Sequence, residues 1–329
     1  MKLINEVLKK DPDYLSLLNE VERGRLPIVC TGLSLIHKAI IAAALRGHMK
    51  KRVVLITHDE ATAAELCGDI NALGLKCLNF PARDLCIGDL SGYSKEYEHK
   101  RIDTLSAVAD GAFDLLTISL DAAVQYTVKP EVLKSARFTL KTGDSADTSE
   151  LAERLINAGY TRSQLCEGSG QFSVRGGIFD LFPVNSEKPC RIEFWGDEID
   201  SISYFDPETQ RREENADEIE ISPAAEVMFD PLKLAAKLKT EIPNPTLTLK
   251  QRDILAKDAE LLENGVKIPP DRYIPLLDTM GTVFEYFGDS LLMLSESGNM
   301  AERFKSMEIQ LSADTENYLE EGYLFSKTA

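Results

Sequence analysis

The sequence predicts an α/β protein in which a lobe built on a parallel sheet carries an inserted, smaller α+β domain. Three observations predict it: short apolar runs alternate with helical patterns before Arg137, closely spaced strand patterns with glycine turns follow, and helical patterns return from Pro223. Strands that alternate with helices favour a parallel sheet with helices on its faces. Strands in quick succession favour an antiparallel or mixed sheet.

The first part of the chain contains the alternating pattern. Its apolar runs are bounded by turn-forming residues, and Ser94 is a typical N-cap for the last of its helices. The predicted strands are 27–30, 53–57, 77–80 and 114–119, and the predicted helices are 35–46, 59–73 and 94–109.

The middle part predicts a separate domain over residues 137–222. A strand at 137–141 is followed by a helix at 149–158, with Leu151, Leu155 and Ile156 on one face and a glycine stop after it. Tight turns at Gly176-Gly177 and Gly196-Asp197 then join strands in pairs. These strands are 171–175, 177–182, 190–195 and 199–205. An acidic run ends the domain, and we interpret it as a solvated face.

The last part, residues 223–329, returns to the first lobe, which otherwise comprises residues 1–136. The predicted helices are 230–240, 248–264 and 299–320, and the predicted strands are 282–287 and 290–294. The sequence ends at Ala329 without a pattern typical of a terminal cap, so we expect a piece of a longer protein.

The composition disfavours several classes of function. The net charge is −17, which opposes non-specific DNA binding, because that binding gains from lysine and arginine on phosphates. No apolar run approaches the roughly 20 residues that span a bilayer, and the polar N-terminus does not resemble a signal peptide. The six cysteines form no CxxC pair and the four histidines do not cluster with them. We therefore expect a cytoplasmic protein with reduced thiols and no metal site.

A phosphate-binding loop is expected after the first strand of such a lobe, and here its motif is broken. Counting from Gly32, Lys38 falls at the lysine position of GxxxxGK[ST], but His37 replaces the second glycine and Ala39 replaces the hydroxyl residue. A β-carbon obstructs the backbone cradle for phosphate, and alanine cannot bind magnesium. Two interpretations remain: an ordinary strand-to-helix turn, or a P-loop that has decayed. Nearby, His58-Asp59-Glu60 resembles a catalytic motif, but Asp59 is better explained as a helix cap.

The stretch 171–212 carries the most unusual side chains. It contains the only tryptophan, Trp195, and two arginines within strand patterns, Arg175 and Arg191. Alternation places Arg191 and Trp195 on one strand face, opposite two apolar residues that are better core candidates. Arginine and tryptophan are enriched at binding hot spots. We therefore predict a protein-binding surface, and expect Arg191→Ala to leave stability nearly unchanged. In the alternative, Trp195 fills the core and the arginines pair with neighbours such as Glu193 and Asp197.

The same stretch resembles one known domain. The runs QFSVRGG (171–177), DLFP (180–183), RIEFWGDEI (191–199) and FDPETQR (205–211) are similar to the domain shared by the UvrB component of the bacterial excinuclease and the transcription-repair coupling factors (Mfd). The broken P-loop, a short segment at 81–93 with a single aromatic residue, and residues 274–287 favour the second family. The resemblance is strong over 94–222, patchy before it and moderate over 223–300.

The resemblance implies an architecture and a function. Residues 1–136 and 223–329 would form a degenerate, helicase-like lobe (domains 1A and 1B) that has lost ATP binding, and 137–222 would be the inserted UvrA-binding domain 2. Arg175, Arg191 and Trp195 align with the family's UvrA contacts.

For the whole protein, the resemblance implies an ATP-dependent translocase that displaces stalled RNA polymerase, with ATP, magnesium, DNA and RNA polymerase bound by absent domains. A C-terminal domain would cover the UvrA-binding face. For this piece we expect no catalysis, cofactor or membrane. The alternative is a UvrB-like, nucleotide-dependent protein that binds damaged DNA.

Overall fold

The computed structural model describes residues 2–88 and 95–329. Its α-helices are α1 (Lys2–Leu8), α2 (Pro12–Glu22), α3 (Leu35–Met49), α4 (Glu60–Ala72), α5 (Lys95–Ala109), α6 (Leu120–Val124), α7 (Pro130–Ala136), α8 (Thr148–Asn157), α9 (Pro231–Glu241), α10 (Leu249–Glu263) and α11 (Ser297–Glu321). Its strands are β1 (Val53–Thr57), β2 (Cys77–Phe80), β3 (Leu115–Ser119), β4 (Tyr126–Val128), β5 (Phe138–Lys141), β6 (Thr161–Arg162), β7 (Gln171–Arg175), β8 (Ile178–Leu181), β9 (Cys190–Trp195), β10 (Glu198–Phe205), β11 (Arg212–Ala216), β12 (Glu218–Ile221), β13 (Met280–Thr282) and β14 (Leu291–Leu294).

The described residues form two compact units. The first contains the chain up to Ala82 together with residues 107–125 and 283–309. The second contains residues 83–88, 95–106, 126–282 and 310–329. The division into 1–136, 137–222 and 223–329, made from the sequence pattern and the family resemblance, stays a prediction.

The first unit is built on a parallel four-stranded sheet in the order β14–β1–β3–β2. Every residue of β1 and β3 is buried, which explains their continuous apolar sequences, since both faces of such a sheet are covered. Helices α3 and α4 contribute small and branched side chains to this core, among them Ala39, Ala42, Leu66 and Ile70. The predicted parallel sheet is therefore confirmed.

Helix α4 begins where the sequence places its cap. The Asp59 carboxylate accepts a hydrogen bond from the Thr62 backbone N–H at 2.7 Å. This bond lowers the pKa of Asp59, because it stabilises the ionised carboxylate. The cap explanation of Asp59 is confirmed.

Two predicted strands are wrong. Residues 27–30 adopt no strand, and Val29 is 85% exposed. The place beside β1 is taken by β14, which comes from the other end of the chain, and local sequence cannot reveal that competition. Residues 282–287 form only the end of β13 and a 3₁₀ turn, Val283–Tyr286. The two ends of this turn are its buried residues, a spacing of three that suits a helical turn. Ser94, the predicted cap of α5, lies outside the described residues.

The second unit contains a six-stranded sheet in the order β11–β10–β9–β8–β7–β6. Its neighbours are antiparallel except β6 and β7. Helix α8 buries Leu151 and Leu155 in the core of this part. Ile156, predicted on the same face, is 48% exposed, because it lies one helical step, about 100°, from Leu155.

Strands β5 and β12 pair with each other from Phe138↔Ile221 to Lys141↔Glu218. This antiparallel pair brings together the two ends of the stretch that contains the six-stranded sheet. Neighbouring ends are what an inserted domain requires, so the predicted insert is consistent with the topology. In β12 the glutamates are exposed and the isoleucines are buried, as a solvated acidic face predicts.

The rest of the second unit contains α9 and α10, packed through Leu234, Leu238, Leu255 and Leu262. A buried ionic cluster lies in the same unit: Arg101 Nε donates to Glu226 Oε2 at 2.7 Å. Burial raises the pKa of Glu226, but the charge and hydrogen bonds of Arg101 outweigh it and the net pKa is lowered. The ion pair therefore keeps this buried carboxylate ionised.

Candidate partner-binding surface

Two of the three predicted contact residues, Arg175 and Trp195, lie at the tips of two neighbouring hairpins, β7–β8 and β9–β10, and the third, Arg191, lies within β9. Gly176 and Gly196 turn these tips with φ of +60° and +64°, a region that favours glycine. The tips are adjacent because β8 pairs with β9, and Phe194 N donates to Gly177 O at 2.8 Å. We call residues 175–178 and 195–198 the hairpin-tip surface.

Trp195 lies on this surface with 84% of its area exposed. In the same strand Ile192 is fully buried, and Phe194 packs against the core while partly exposed. The strand therefore alternates as predicted, and the interpretation of Trp195 as a core residue is wrong. Because an indole is large and rigid, its exposure provides a large apolar contact area.

Arg175 and Arg191 both bind a residue that the sequence analysis did not single out, Asp180. This aspartate lies on β8 and is fully buried. Arg191 Nε donates to Asp180 Oδ1 at 2.7 Å, and Arg191 Nη2 donates to Asp180 Oδ2 at 3.0 Å. Arg175 Nη2 donates to the same Oδ2 at 2.7 Å. One buried carboxylate therefore holds two arginines.

The two arginines differ in exposure. The Arg191 side chain is 17% exposed, lies 4.8 Å over the Phe205 ring, and also donates to the Gln210 carbonyl at 3.4 Å. The hydrogen bond to Asp180 raises the pKa of Arg191. The Arg175 side chain is 48% exposed. The environment of Arg191 is thus that of a structural ion pair, whereas Arg175 remains open to solvent.

The alternative interpretation correctly expected both arginines to pair with a neighbouring carboxylate, but that carboxylate is Asp180 and not Glu193 or Asp197. Glu193 accepts instead from Ser201 Oγ at 2.8 Å and from Arg212 at 3.4 Å. Sequence offered one signal for Asp180: it is a charged residue between apolar neighbours in a central strand pattern, where an unpaired carboxylate is costly. The register that places Asp180 opposite Arg191 was not readable from sequence.

The broken P-loop motif lies at the start of α3 in the first unit. Gly32 has φ +76°, the His37 ring is hydrogen-bonded to Ser34 Oγ at 2.9 Å, and Ala39 is buried in the core. Lys38 forms an ion pair with Glu296 and donates to Ser295 Oγ at 3.1 Å. The lysine charge at the phosphate position is thus paired with a carboxylate of the same unit.

A cavity of about 510 Å³ lies at the carboxyl ends of the first unit's strands. Its charged lining residues are paired with one another or with nearby polar groups. His58 Nε2 lies 2.9 Å from Asp59 Oδ2, Arg303 pairs with Asp121, and Ser119 Oγ bonds to Glu60. Among the described residues, no group of His, Cys, Asp and Glu side chains is arranged to hold a metal ion.

Known proteins resemble this chain in the region of the hairpin-tip surface and beyond it. The model of the family described as UvrB interaction domain matches residues 138–227. That range contains β5–β12 and all three predicted contact residues. Residues 138–227 are therefore similar to the UvrB interaction domain.

The similarity also extends along almost the whole chain. The transcription-repair-coupling factor of Bacillus subtilis strain 168 is 28% identical over 98% of this chain. The protein of the same name in Staphylococcus aureus strain USA300 is also 28% identical over 98% of it. The chain is related to transcription-repair-coupling factors, and it spans 29% and 28% of these two relatives. It therefore corresponds to less than a third of their length.

Proposed function

We propose that this chain is the UvrA-recruiting region of a transcription-repair coupling factor, acting in transcription-coupled nucleotide excision repair. The observation that carries the proposal is the 84% exposed Trp195 at the tip of the β9–β10 hairpin, within the range that matches the UvrB interaction domain. Exposed tryptophan beside arginine is typical of the centre of a protein interface. UvrA is the partner that the family resemblance indicates.

The charge of the chain supports a protein partner over a nucleic acid. With a net charge of −17, the chain repels phosphates at long range. The UvrB-like alternative requires a basic surface that binds damaged DNA. The acidic composition of this chain disfavours such a surface.

We further propose that this region performs no catalysis and needs no cofactor. The pairing of Lys38 with Glu296 supports a lobe without nucleotide binding. ATP hydrolysis with magnesium, DNA translocation and RNA polymerase binding would belong to other parts of a longer cytoplasmic protein, and its C-terminal domain would cover the hairpin-tip surface. In the part of the chain that the structure describes, no helix combines the length and apolarity of a membrane span.

Hydrogen exchange with purified UvrA tests this proposal. We expect UvrA to slow amide exchange in peptides that cover 171–179 and 191–199, and to leave β1 and β3 unchanged. Protection confined to the first unit, or no protection at saturating UvrA, would contradict the proposal. Protection around residues 32–39 on adding ATP would favour the UvrB-like alternative.

A further inference from the structure

We propose that Asp180 is a positioning residue for partner recognition: it anchors Arg175 so that Arg175, and not Arg191, offers its guanidinium to an acidic group of the partner. This inference rests on the proposed function. In the sequence analysis both arginines have the same role. Here Arg175 contacts the partner, and Arg191 stabilises Asp180.

The support role belongs to Arg191 because three of its five N–H donors are already used. Nε and Nη2 bind the two oxygens of Asp180, Nη1 donates to the Gln210 carbonyl, and the guanidinium covers the Phe205 ring. A partner carboxylate would have to displace these bonds in a side chain that is only 17% exposed. Arg191 therefore neutralises Asp180, which as a lone buried carboxylate would be strongly unfavourable.

The contact role belongs to Arg175 because most of its donors remain available. Its hydrogen bond to Asp180 uses Nη2 alone, and it forms no other hydrogen bond or ion pair to the described residues. Nearly half of the side chain is exposed. One nitrogen of the planar guanidinium is thus fixed while four of its five N–H donors remain available, which suits binding of a carboxylate.

The charge of the three groups Arg175, Asp180 and Arg191 indicates what kind of partner group Arg175 binds. Two guanidinium groups and one carboxylate leave a surplus of one positive charge, and the more exposed arginine presents it. A carboxylate on the partner protein completes the pairing. Since Asp180 already restricts the Arg175 rotamer, binding costs less side-chain entropy than it would for a free arginine.

The interaction between Asp180 and Arg175 can be tested with a double-mutant cycle against purified UvrA. We expect Arg175→Ala to weaken the dissociation constant about tenfold or more. Asp180→Asn, which keeps the side-chain volume and one acceptor, should weaken it several-fold. In the Arg175→Ala background Asp180→Asn should add nothing further, because the residue it positions is gone. Equal weakening in both backgrounds, or no effect of Asp180→Asn, would overturn the proposal.

Arg191→Gln provides a second variant that keeps a donor for Asp180. If Arg191 is only a support, the dissociation constant should change less than about threefold; a loss like that of Arg175→Ala would make Arg191 a direct contact and overturn the assignment.

An NMR measurement without UvrA separates this proposal from the proposed function. In the wild-type chain, ¹⁵N relaxation of the Arg175 Nε–H group should report an ordered side chain, and Asp180→Asn should make it mobile while the backbone amide spectrum is kept. If wild-type chain fails to bind UvrA, the proposed function falls and this relaxation still decides the positioning role. An Arg175 side chain equally mobile in both proteins would overturn it.

Discussion

At the residue scale, the buried Asp180 carboxylate holds the two arginines that the sequence analysis predicted as contact residues. The register places it directly opposite Arg191 on β9 and opposite Ser173 on β7, so Arg175 lies on the neighbouring diagonal. Opposite and diagonal pairs on one sheet face are within reach of long side chains. The strand register alone therefore places the Asp180 carboxylate within reach of both arginines.

Arg191→Ala should destabilise the chain, contrary to the expectation from sequence. The substitution leaves a fully buried Asp180 with only the half-exposed Arg175, and breaking a buried ion pair costs about 3 kcal/mol or more when no partner remains. Because Arg175 stays, we expect a loss of about 2 kcal/mol in the free energy of unfolding, measured by urea denaturation.

The control for this prediction is Arg212→Ala. Arg212 pairs with Glu193 at 3.4 Å, and both side chains are substantially exposed, so its loss should cost less than about 1 kcal/mol. Equal stability of the Arg191→Ala and wild-type chains would show that the Asp180 cluster is not structural.

Sequence could predict the orientation of Trp195 but not the partners of the arginines. Alternation along a single strand places Ile192 inside and Trp195 outside, because the side-chain period is two. The Asp180 pairings depend on how β7, β8 and β9 are aligned. That alignment is a tertiary property which no local pattern records.

At the element scale, the β7–β8 turn depends on a close approach of two backbones. A Cβ on Gly177 would lie 2.9 Å from the Phe194 carbonyl oxygen, a backbone atom of the neighbouring strand. We expect Gly177→Ala to separate β8 from β9 near Trp195, to lower the unfolding midpoint and to weaken UvrA binding.

Gly176→Asn is the matched variant in the same turn. A Cβ at Gly176 meets no atom within 4 Å, and its φ of +60° is one that asparagine tolerates better than other residues. Gly176→Asn should cost about 1 kcal/mol, the low end of the range for a non-glycine residue with positive φ. If both variants unfold at the same urea concentration, backbone crowding at Gly177 is not the determinant.

Helix α5 carries a histidine that should make stability depend on pH. His99 Nε2 is buried with no hydrogen-bond partner among the described residues. Burial lowers the pKa of His99 to about 4, below its ordinary value of about 6.5. Between these values the unfolded chain binds a proton that the folded chain does not, so stability falls as pH drops from about 6.5 to 4.

Comparison of wild type with His99→Gln measures this effect. The free energy of unfolding of wild type should decline by up to about 3 kcal/mol more than that of the variant over this range. Burial raises the pKa of the neighbouring Glu98, which acts in the opposite direction in both proteins and cancels in the difference. Parallel pH curves would contradict the prediction.

The elements that sequence predicted best are those whose pattern has a local cause. β1 and β3 are continuous apolar runs because both faces of the sheet are covered. The run at 27–30 has the same local character, but β14 occupies the edge beside β1. Competition between two strand-like segments for one edge is decided by packing, so the sequence alone predicted both as strands.

At the scale of the whole molecule, the first unit has a parallel sheet, but the lysine at the position that binds phosphate in an intact P-loop forms an ion pair. Lys38 is bound to Glu296 and Ser295. We expect titration with ATP and magnesium to show no saturable binding in the millimolar range. Saturable binding in wild type that disappears in Lys38→Ala would contradict this expectation and support the UvrB-like alternative.

The measurement that tests the central claim most directly is the affinity of the chain for purified UvrA, compared between wild type and two alanine variants. Trp195 is 84% exposed and Leu249, on α10, is 78% exposed, so both substitutions should leave the thermal midpoint nearly unchanged. Trp195→Ala should weaken the affinity by about 2 kcal/mol or more, as expected for a hot spot, whereas Leu249→Ala should not change it. Equal UvrA affinities for all three proteins would contradict the claim that the hairpin-tip surface recruits UvrA.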